Sequence, residues 1–479
     1  MTYASRNFLF LNIGHALDHF FMLIFATAVL SASMKGDFEG SYGALLLLTT
    51  FSFFFFGGAS LPAGWLGDKW SRHNMIVVFF IGIGVASIFT GLTTGRLSLQ
   101  IGLAMIGLLA AIYHPIGIAL VAEEAGRMGR ALAINGVWGN IGVALAAVTT
   151  GAIAEYWGWR AAFIAPGIYA AAIGVSYALH LRLGPGAGED QNETLRANQL
   201  RSLLVSGPLL GTLAVIGVFI FGFMTYKAVD RFGWYALVVL PIVYIAMACL
   251  AYVMYTFQKG ALQQDGAPAA KRQFDVTVSI QQRVFVFLIV APLFGGVIFQ
   301  ATTIALPKIL SERLTALIAN PSEIGIVAAV VFALAALGQV VVGELLDRYP
   351  IRQIYLSVVS VQLLLCALAV SAFGWLALLV TTPLMLATFG AIPMNDWIVA
   401  NYIGSRWRSR VYAVKSLMSL SVGAIAVQLS GRLYDLTGSF EALFMVMTGC
   451  AALVILGALF LLPARPPEPV VVPAEQLAG

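Results

Sequence analysis

The sequence predicts an all-α protein that crosses a membrane about fourteen times. Of its 479 residues, 60% are hydrophobic and only 10% are charged, whereas a soluble domain is about one quarter charged. Apolar runs of about 20 residues recur from end to end, and a helix of that length crosses about 30 Å of hydrocarbon. Membrane β-barrels show short segments of alternating polarity instead, and this sequence has no such pattern. The chain is therefore expected to form a polytopic helical bundle.

The distribution of basic residues predicts the orientation of the spans. With the N-terminus in the cytoplasm, 18 of the 27 Lys and Arg residues fall in cytoplasmic loops and helix ends, 8 fall outside, and Lys415 lies within a helix. This bias obeys the positive-inside rule. It predicts a multi-pass protein of the inner (plasma) membrane with both termini in the cytoplasm. The predicted spans are 7–32, 41–66, 74–94, 98–122, 131–154, 160–182, 203–224, 233–256, 282–308, 322–345, 353–373, 376–402, 411–431 and 441–462.

Two pairs of similar loops divide the chain into repeated halves. GWLGDKWSRHNMI (64–76) resembles GELLDRYPIRQIY (343–355), and EEAGRMGR (123–130) corresponds to GSRWRSR (404–410). Each pair follows corresponding helices of a six-helix set. A polar insert between the halves contains two more apolar runs, which predict an extra transmembrane hairpin. The predicted regions are an N-terminal six-helix bundle (1–182), cytoplasmic linkers with the hairpin (183–281), a C-terminal six-helix bundle (282–462) and a disordered cytoplasmic tail (463–479).

The sequence argues against an enzyme and against a nucleic-acid-binding protein. It contains no GxxxxGK[ST] loop for a nucleotide, no serine-nucleophile motif, and three cysteines without a CxxC pair. The net charge of +5 follows from the charged loops of the topology. We therefore expect no cofactor and no nucleic-acid partner. The expected partners of a monomeric protein are the lipid bilayer, a small-molecule solute and protons.

The stretch GHALDHFF (14–21) places ionisable side chains inside the first predicted span. His15, Asp18 and His19 share one helix face because they are three and four residues apart. Asp18 lies roughly 16 Å into its helix at 1.5 Å per residue, a depth at which a charge is costly. Asp18, His15, His19 and His114 are predicted to couple transport to protons. The alternative is a fixed Asp–His pair that only joins helices.

The paired loops carry a resemblance to a known family. A GxLaDrxGrr-type loop between the second and third helices of two six-helix halves is typical of the major facilitator superfamily, which this sequence resembles. The family's second glycine is replaced by Ser71 and Pro350, while GWRAAF (158–163) is similar to the family. The resemblance implies alternating access, with the loops latching the halves; the alternative is that the loops only determine topology. The residues assigned to the gating loops are Gly64, Asp68, Arg72, Arg127, Arg130, Gly343, Asp347 and Arg348.

The same resemblance implies which helices line the transport cavity. In the superfamily these are the first, fourth, seventh and tenth helices of the core, and most intramembrane polar residues of this chain lie on them. Asp396 and Lys415, on successive helices, are expected to pair because an unpaired charge at membrane depth is costly. The residues assigned to the substrate cavity are Gln300 and Thr303 on the seventh helix, Asn395 and Asp396 on the tenth, and Trp138 and Asn140 on the fifth.

Within the superfamily, residues 113–142 are similar to the group that includes fosmidomycin-resistance exporters. The shared features are an aromatic-His-Pro step at Tyr113–Pro115, whose proline predicts a helix kink, and a Gly-Asn-x-Gly step at 139–142. Two features depart from the related proteins. Ile116 replaces the acid of the group, and an alanine pair (146–147) replaces the Gly-Pro pair of many drug antiporters.

Together these observations predict secondary active transport of a small organic solute by alternating access, coupled to protons. Efflux is the direction that the subgroup favours, although the sequence leaves the solute and the direction open. One alternative is a divalent metal transporter, because His15 and His19 have the spacing of two metal ligands on one helix turn. A membrane enzyme without transport is the other alternative. By analogy with related carriers, the extra hairpin is expected to lie outside the core bundle.

Overall fold

A bundle of α-helices makes up nearly all of the structure, a computed structural model that describes residues 3–124, 128–182, 272–274, 278–315, 320–403, 405–463 and 469–471. Two three-residue strands, β1 (Arg272–Phe274) and β2 (Pro469–Val471), pair antiparallel. The helices are α1 (Tyr3–Ala28), α2 (Ala32–Asp37), α3 (Tyr42–Leu46), α4 (Thr50–Gly58), α5 (Ser60–Lys69), α6 (Arg72–Gly91), α7 (Arg96–Ala110), α8 (Tyr113–Glu124), α9 (Met128–Arg182), α10 (Val278–Val290), α11 (Gly296–Arg313), α12 (Pro321–Arg348), α13 (Ile351–Ala369), α14 (Trp375–Gly390), α15 (Ile392–Tyr402), α16 (Ser405–Thr437) and α17 (Glu441–Leu461).

The described helices have the length and hydropathy of membrane spans. Within the described residues, nine helical stretches are long and apolar enough to cross a bilayer, and the bent pair Tyr42–Gly58 and Ser60–Lys69 makes a tenth. The longest stretch, Ile134–Arg182, is broken at Gly158 into two helices. The predicted all-α polytopic fold is confirmed. The predicted hairpin (203–256) lies outside the described residues, so the total of about fourteen spans stays a prediction.

Prolines explain the interruptions within four of these spans. Each proline lacks an N–H, and its ring crowds the carbonyl four residues back. Pro62 follows the 41° bend between α4 and α5, and Pro393 lies at the junction of α14 and α15. Pro292 lies in a π-helical turn between α10 and α11. Pro115 follows the interruption between α7 and α8, so the helix break predicted for the His-Pro step is found one turn before the proline.

The second half of the chain begins and finishes at one end of the bundle. The side chain of Arg352, in the first turn of α13, donates to the carbonyl oxygen of Leu459 near the end of α17, at 2.8 Å. Arg283 in α10 donates to the carbonyl of Phe460. The chain therefore enters and leaves the second half at the same end. We call this the loop end, because Arg352 directly follows the junction after α12, which carries one of the predicted gating loops.

Small residues let the central helices approach to backbone contact. α9 crosses α1 at Gly142, where a methyl group would overlap the carbonyl oxygen of Ala16. Further along α9, Gly151 faces the backbone of α12, and Gly325 of α12 faces the backbone of α9. Close approach through small residues is typical of packing between membrane helices. α9 is thus the helix of the first half that contacts both α1 and the second half.

Hydrogen bonds to α2 fix the break in α9 at Gly158, which has φ +82° and ψ +162°. The main-chain N–H of Trp159 donates to Ser33 Oγ at 3.0 Å. Trp159 Nε1 donates to Asp37 at 2.8 Å, and Arg160 donates to the same carboxylate. These two donors hold the pKa of the Asp37 carboxyl below its usual range. The GWR sequence therefore builds the turn that joins α9 to α2.

We predict that Gly158→Ala destabilises the protein through its backbone. An added methyl group would lie 3.7 Å from Ser33 Oγ, an ordinary contact, so crowding is not the cause. The cost comes from φ and ψ values that are essentially restricted to glycine, and we expect a loss of about 1–3 kcal/mol. Thermal unfolding of the purified protein in detergent measures it.

Gly449→Ala is the matched control for this variant. Gly449 lies inside α17 with no neighbouring atom within 4 Å of an added methyl group. Alanine is the better helix former, so this variant is expected to be at least as stable as the wild type. Equal melting temperatures for the two variants would contradict the assignment of strain to Gly158.

Candidate transport site

Three histidines and an aspartate meet between α1 and α8. His15, Asp18 and His19 lie on one face of α1, and His114 faces them from α8. The ring centroids of His15, His19 and His114 are 5.0 to 5.4 Å apart. Asp18 is fully buried. We call these four residues the His–Asp cluster; it contains all the residues predicted to couple transport to protons.

A main-chain carbonyl fixes the tautomer of the first imidazole. His15 Nδ1 lies 2.7 Å from the carbonyl oxygen of Asn135 in α9. Because a carbonyl oxygen only accepts, Nδ1 carries the proton and the neutral ring keeps its lone pair on Nε2. That Nε2 atom lies 3.2 Å from His19 Nε2. In the neutral pair, His19 therefore donates from Nε2 to His15.

The buried acid has one close partner. Asp18 Oδ2 lies 3.2 Å from His114 Nε2, and neither carboxylate oxygen has another partner among the described residues. Two acceptor atoms at this distance repel unless a proton lies between them, and that proton can reside on the carboxyl group or on the imidazole. The His114 side chain is 18% exposed and that of Asp18 is 0% exposed. His114 thus connects the buried acid to the accessible side of the cluster.

The Gly-Asn-x-Gly step of α9 makes room for this cluster. A methyl group at Gly139 would lie 2.8 Å from His15 Nε2 and 2.9 Å from His19 Cδ2. Glycine therefore lets the helix backbone pack directly on both rings. The next residue, Asn140, is buried, and its Nδ2 atom has no hydrogen-bond partner among the described residues. This amide can donate to a bound solute.

A polar network behind the cluster joins α1, α8 and α9. The Asn135 amide donates to Asn12 Oδ1 at 3.0 Å and to the Tyr113 hydroxyl at 2.9 Å. The Tyr113 hydroxyl donates in turn to the Leu11 carbonyl at 2.6 Å, and its ring stacks on His15 at 5.1 Å. From the sequence, Asn135 could have faced the substrate; its place in this network could not be predicted, because its contacts with α1 are more than a hundred residues distant in sequence.

The residues assigned to the substrate cavity in the second half make hydrogen bonds within that half. Gln300 donates to a main-chain carbonyl of α16 at 3.4 Å, and Thr303 donates to the carbonyl one turn back in its own helix. Asn395 accepts from the Tyr355 hydroxyl at 2.9 Å. Trp138, in the first half, is partly buried against the hydrophobic core. Their assignment to the cavity stays a prediction.

Asp396 and Lys415 contact each other between α15 and α16, the pairing expected from their sequence positions. The Lys415 side chain is 15% exposed and that of Asp396 is 46% exposed. The pair therefore offers a partly accessible carboxylate on the second half.

The predicted gating loops contain ion pairs within each half. Arg72 contacts Asp68 at 2.7 Å across the junction of α5 and α6, and Arg348 contacts Glu344 one turn back in α12. These are exposed pairs, which contribute little to stability. Their gating role stays a prediction. The side chains of Arg127, Arg130 and Asp347 lie outside the described residues.

The corresponding glycines of the two loops differ in their surroundings. A methyl group at Gly64 would lie 3.2 Å from Cβ of Pro115, so α5 packs closely on α8. The space beside Gly343 is open. Close helix approach therefore accounts for the glycine of the first loop and does not account for the glycine of the second.

At the end of the bundle opposite the loop end, a carboxylate of each half binds the start of a helix in the other half. Asp435 of α16 accepts from the Ser41 hydroxyl at 2.5 Å and from the Gly43 N–H at 3.0 Å, at the start of α3. Reciprocally, Glu155 of α9 accepts from the Ser322 N–H at 2.9 Å, in the first turn of α12. Carboxylates stabilise helix N-termini because free N–H groups and the helix dipole point at them. We call this arrangement the carboxylate clasp; the sequence analysis missed it.

Comparison with known proteins identifies the family. The sequence pattern of the Major Facilitator Superfamily matches residues 11–303 and 285–478. The chain belongs to this superfamily. The predicted family is thereby confirmed, and membership makes the protein a multi-pass membrane transporter and not an enzyme. The similarity to the fosmidomycin-resistance group stays a prediction.

Solved structures from the superfamily share the fold of the whole chain. A D-xylose-proton symporter has a TM-score of 0.64 at 13% identity, and the alignment covers 96% of this chain and 98% of the symporter. A POT family transporter in complex with 5-aminolevulinic acid has a TM-score of 0.62 at 14% identity, covering 95% and 94%. At such identities the likeness shows the fold alone.

A curated relative matches a shorter segment. The puromycin resistance protein pur8 of Streptomyces alboniger is 31% identical over 108 residues. The match covers 22% of this chain and 22% of the relative, so it spans about one fifth of that protein.

We predict that Asn135→Leu and Tyr113→Phe destabilise this superfamily member through one shared network. Asn135→Leu leaves Asn12 Oδ1 without its donor, and Tyr113→Phe removes the hydroxyl that donates to the Leu11 carbonyl and accepts from Asn135. Each loss of a buried partner should cost about 1–3 kcal/mol. Because both variants break the same Asn135–Tyr113 bond, the double variant should lose less than the two single losses added together.

Thermal unfolding of the four proteins in the same detergent tests this prediction. Thr448→Val is the control, because the Thr448 hydroxyl bonds only a carbonyl of its own helix, α17, at 2.8 Å. This variant should unfold close to the wild type. Strictly additive losses for Asn135→Leu and Tyr113→Phe would contradict a shared network.

Proposed function

We propose that this chain is a proton-coupled secondary transporter of a small organic solute, working by alternating access. The observation that carries the proposal is the fully buried Asp18 carboxyl, held 3.2 Å from the imidazole of His114 on a neighbouring helix. A charge at membrane depth is costly unless it is paired or neutralised, and such residues commonly mark proton pathways.

The coupling proton is proposed to lie between Asp18 and His114. The two groups sit on different helices, α1 and α8, and α8 begins immediately after the interruption at 111–112. A change in the orientation of α8 would lengthen or shorten the 3.2 Å contact. Such a change would favour or disfavour the proton, because separating the pair leaves a buried carboxylate without its cation. This links protonation to helix position.

Alternating access is proposed to require opening of the carboxylate clasp. The clasp joins the first and second halves. Two turns before Asp435, Gln428 of α16 adds a further bond between the halves, donating to Thr50 Oγ1 of α4 at 2.9 Å. Opening this end breaks bonds to helix N-termini that are then free to bind water. These polar contacts can exchange with solvent, as a reversible closure in a transport cycle requires.

The solute is proposed to be organic and to be exported. Asn140 of α9, the residue after the glycine that packs on the His–Asp cluster, has an amide donor without a hydrogen-bond partner among the described residues. Asp396 has a partly exposed carboxylate. The puromycin-resistance relative supports an amphipathic solute and the efflux direction. The excess of Lys and Arg in the loops supports a cytoplasmic loop end and cytoplasmic termini in the inner membrane. We propose a monomer as the transporting unit.

We predict that Asp18→Asn abolishes proton-driven transport without unfolding the protein. Asparagine keeps the size and one acceptor of the carboxyl group but cannot carry the proton. Solutes that stabilise the purified protein, with puromycin as the first probe, are loaded into proteoliposomes with an imposed pH gradient. Uphill transport by Asp18→Asn should fall at least tenfold, whereas downhill exchange of the same solute should continue.

Glu441→Gln is the matched acid-to-amide control, because Glu441 is an exposed carboxylate in the first turn of α17. This variant should transport as the wild type does. Gradient-driven transport by Asp18→Asn at the wild-type rate would overturn the assignment of the coupling site.

We predict that removing the clasp carboxylates shifts the protein toward a state open at the clasp end. Asp435→Ala and Glu155→Ala together remove three acceptors that bind N–H or O–H groups of the opposite half. Net hydrogen bonds to charged groups contribute about 1.5–3 kcal/mol when buried and less when exposed. We therefore expect the open population to rise on the order of tenfold.

Spin labels at Glu39→Cys and Leu436→Cys, both at exposed positions near the clasp, report this opening by their distance distribution. The natural cysteines are first replaced by alanine. Glu441→Ala, which removes a carboxylate near the clasp but outside it, should leave the distribution unchanged. If the double variant and the labelled protein with an intact clasp gave the same distance distribution, a gating role of the clasp would be contradicted.

A further inference from the structure

We propose that His15, His19 and His114 bind one divalent first-row transition-metal ion, such as Zn²⁺, with Asp18 as the residue that positions His114. This inference goes beyond the proposed function, because it concerns coordination of an ion by imidazole nitrogens. It rests on the spacing of those nitrogens and on the groups that hold the rings.

The spacing of the nitrogens matches a coordination sphere. One ligand atom from each histidine lies within 4.8 Å of the other two. The two Nε2 atoms of His15 and His19 are 3.2 Å apart. Two nitrogens bound at about 2.0–2.1 Å to one tetrahedral zinc ion are about 3.3 Å apart. The α1 pair therefore already has the separation that a shared ion requires. The His114 ligand atom, within 4.8 Å of the other two, must come closer to join it.

The groups behind two of the rings are those that orient metal ligands. Metal-bound histidines usually donate their second ring N–H to a carbonyl or a carboxylate. His15 donates from Nδ1 to the Asn135 carbonyl, which leaves Nε2 as the ligand atom. When His114 donates from Nε2 to Asp18, its ligand atom is Nδ1. The structure thus provides one carbonyl–histidine and one carboxylate–histidine arrangement around the same space.

The metal-free arrangement of the α1 pair is compatible with this exchange. In the neutral pair one proton lies between the two Nε2 atoms, donated by His19. An ion bound there takes the place of that proton, and His19 then carries its proton on Nδ1. The exchange needs a change of tautomer in one ring and no movement of α1. Gly139 keeps the α9 backbone from blocking this space, because any larger residue would contact both rings.

The donor set selects the class of ion. Neutral imidazoles suit Zn²⁺, Cu²⁺, Ni²⁺ and Co²⁺, whereas Mg²⁺ and Ca²⁺ prefer oxygen ligands. Three protein ligands leave one position of a tetrahedral ion for water or another small ligand. The 18% exposure of the His114 side chain gives an ion access to the cluster.

The test is zinc binding to the full-length protein in detergent, purified without a polyhistidine tag and stripped with a chelator. Zinc chloride is titrated by calorimetry into the wild type, His19→Gln and His114→Gln. His73→Gln is the control, because His73 lies at the start of α6 and contacts the Tyr177 hydroxyl at 3.1 Å, away from the cluster. Cobalt chloride gives a second readout, since its visible absorption intensifies in a tetrahedral site.

We expect one zinc ion per chain, at least 100-fold weaker binding in His19→Gln and His114→Gln, and no change in His73→Gln. Magnesium chloride should not compete. Asp18→Asn should bind 10–100-fold more weakly while its cobalt spectrum keeps the wild-type shape, as expected when an orienting partner is weakened and the ligands stay.

Several outcomes would overturn the proposal. Wild-type protein without saturable one-to-one binding would remove the site, and so would wild-type affinity in His19→Gln and His114→Gln. A loss in Asp18→Asn as large as in His19→Gln, with an altered cobalt spectrum, would make Asp18 a ligand and not a positioning residue. A failure of proton coupling appears in the transport assay alone, so it is distinguishable from a failure of metal binding.

Discussion

A carboxyl group buried completely among membrane helices is the constraint on which the first half depends. Asp18 has no exposed surface and a single imidazole at 3.2 Å. A charge in such a place is tolerated only when a proton or a cation compensates it. The position of α8 meets this requirement, because it brings His114 to α1. Pro115, the next residue, accounts for the interruption between α7 and α8. The break therefore brings His114, a basic residue, to Asp18, which apolar side chains could not neutralise.

α9 connects this constraint to the rest of the molecule. Its Asn135 carbonyl fixes the tautomer of His15, and its Gly139 packs on the rings. Twenty residues after Asn135, its Glu155 binds the start of α12. Twenty residues of helix extend about 30 Å, so one element reaches from the cluster to the clasp. When the clasp opens, α9 must move relative to at least one of the two halves. The helix that stabilises the cluster is therefore also the helix that a change at the clasp would displace.

Local sequence pattern predicted the parts of the site that lie on one element. The helical spacing of His15, Asp18 and His19 placed them on one face, and the proline after His114 predicted the break in its helix. The clasp could not be predicted in this way, because Asp435 and Glu155 look like ordinary acids at helix ends and their partners are main-chain N–H groups distant in sequence. The contribution of Asn135 was hidden for the same reason, since its carbonyl carries no side-chain signal.

Family resemblance identified other features without explaining them. GWRAAF marked a family-like segment, but only the backbone angles of Gly158 and the bonds to Asp37 show that it forms a turn between α9 and α2. The glycines at 139 and 142 were similarly recognised as a step, whereas their purpose needs the positions of rings and carbonyls on α1. Composition and periodicity determine which segments span the membrane. Which of their small and polar residues meet depends on packing between halves of the chain.

In the His–Asp cluster, a metal ion and the proton shared by His15 and His19 exclude each other. The Nε2 atoms of His15 and His19 are close enough to share one proton or one ion, and not both. A metal ion would also hold α1 and α8 together through three ligands, which restricts the movement of α8 that a change in the Asp18–His114 contact requires. Occupancy by a metal ion would therefore oppose a transport cycle in which that contact opens and closes.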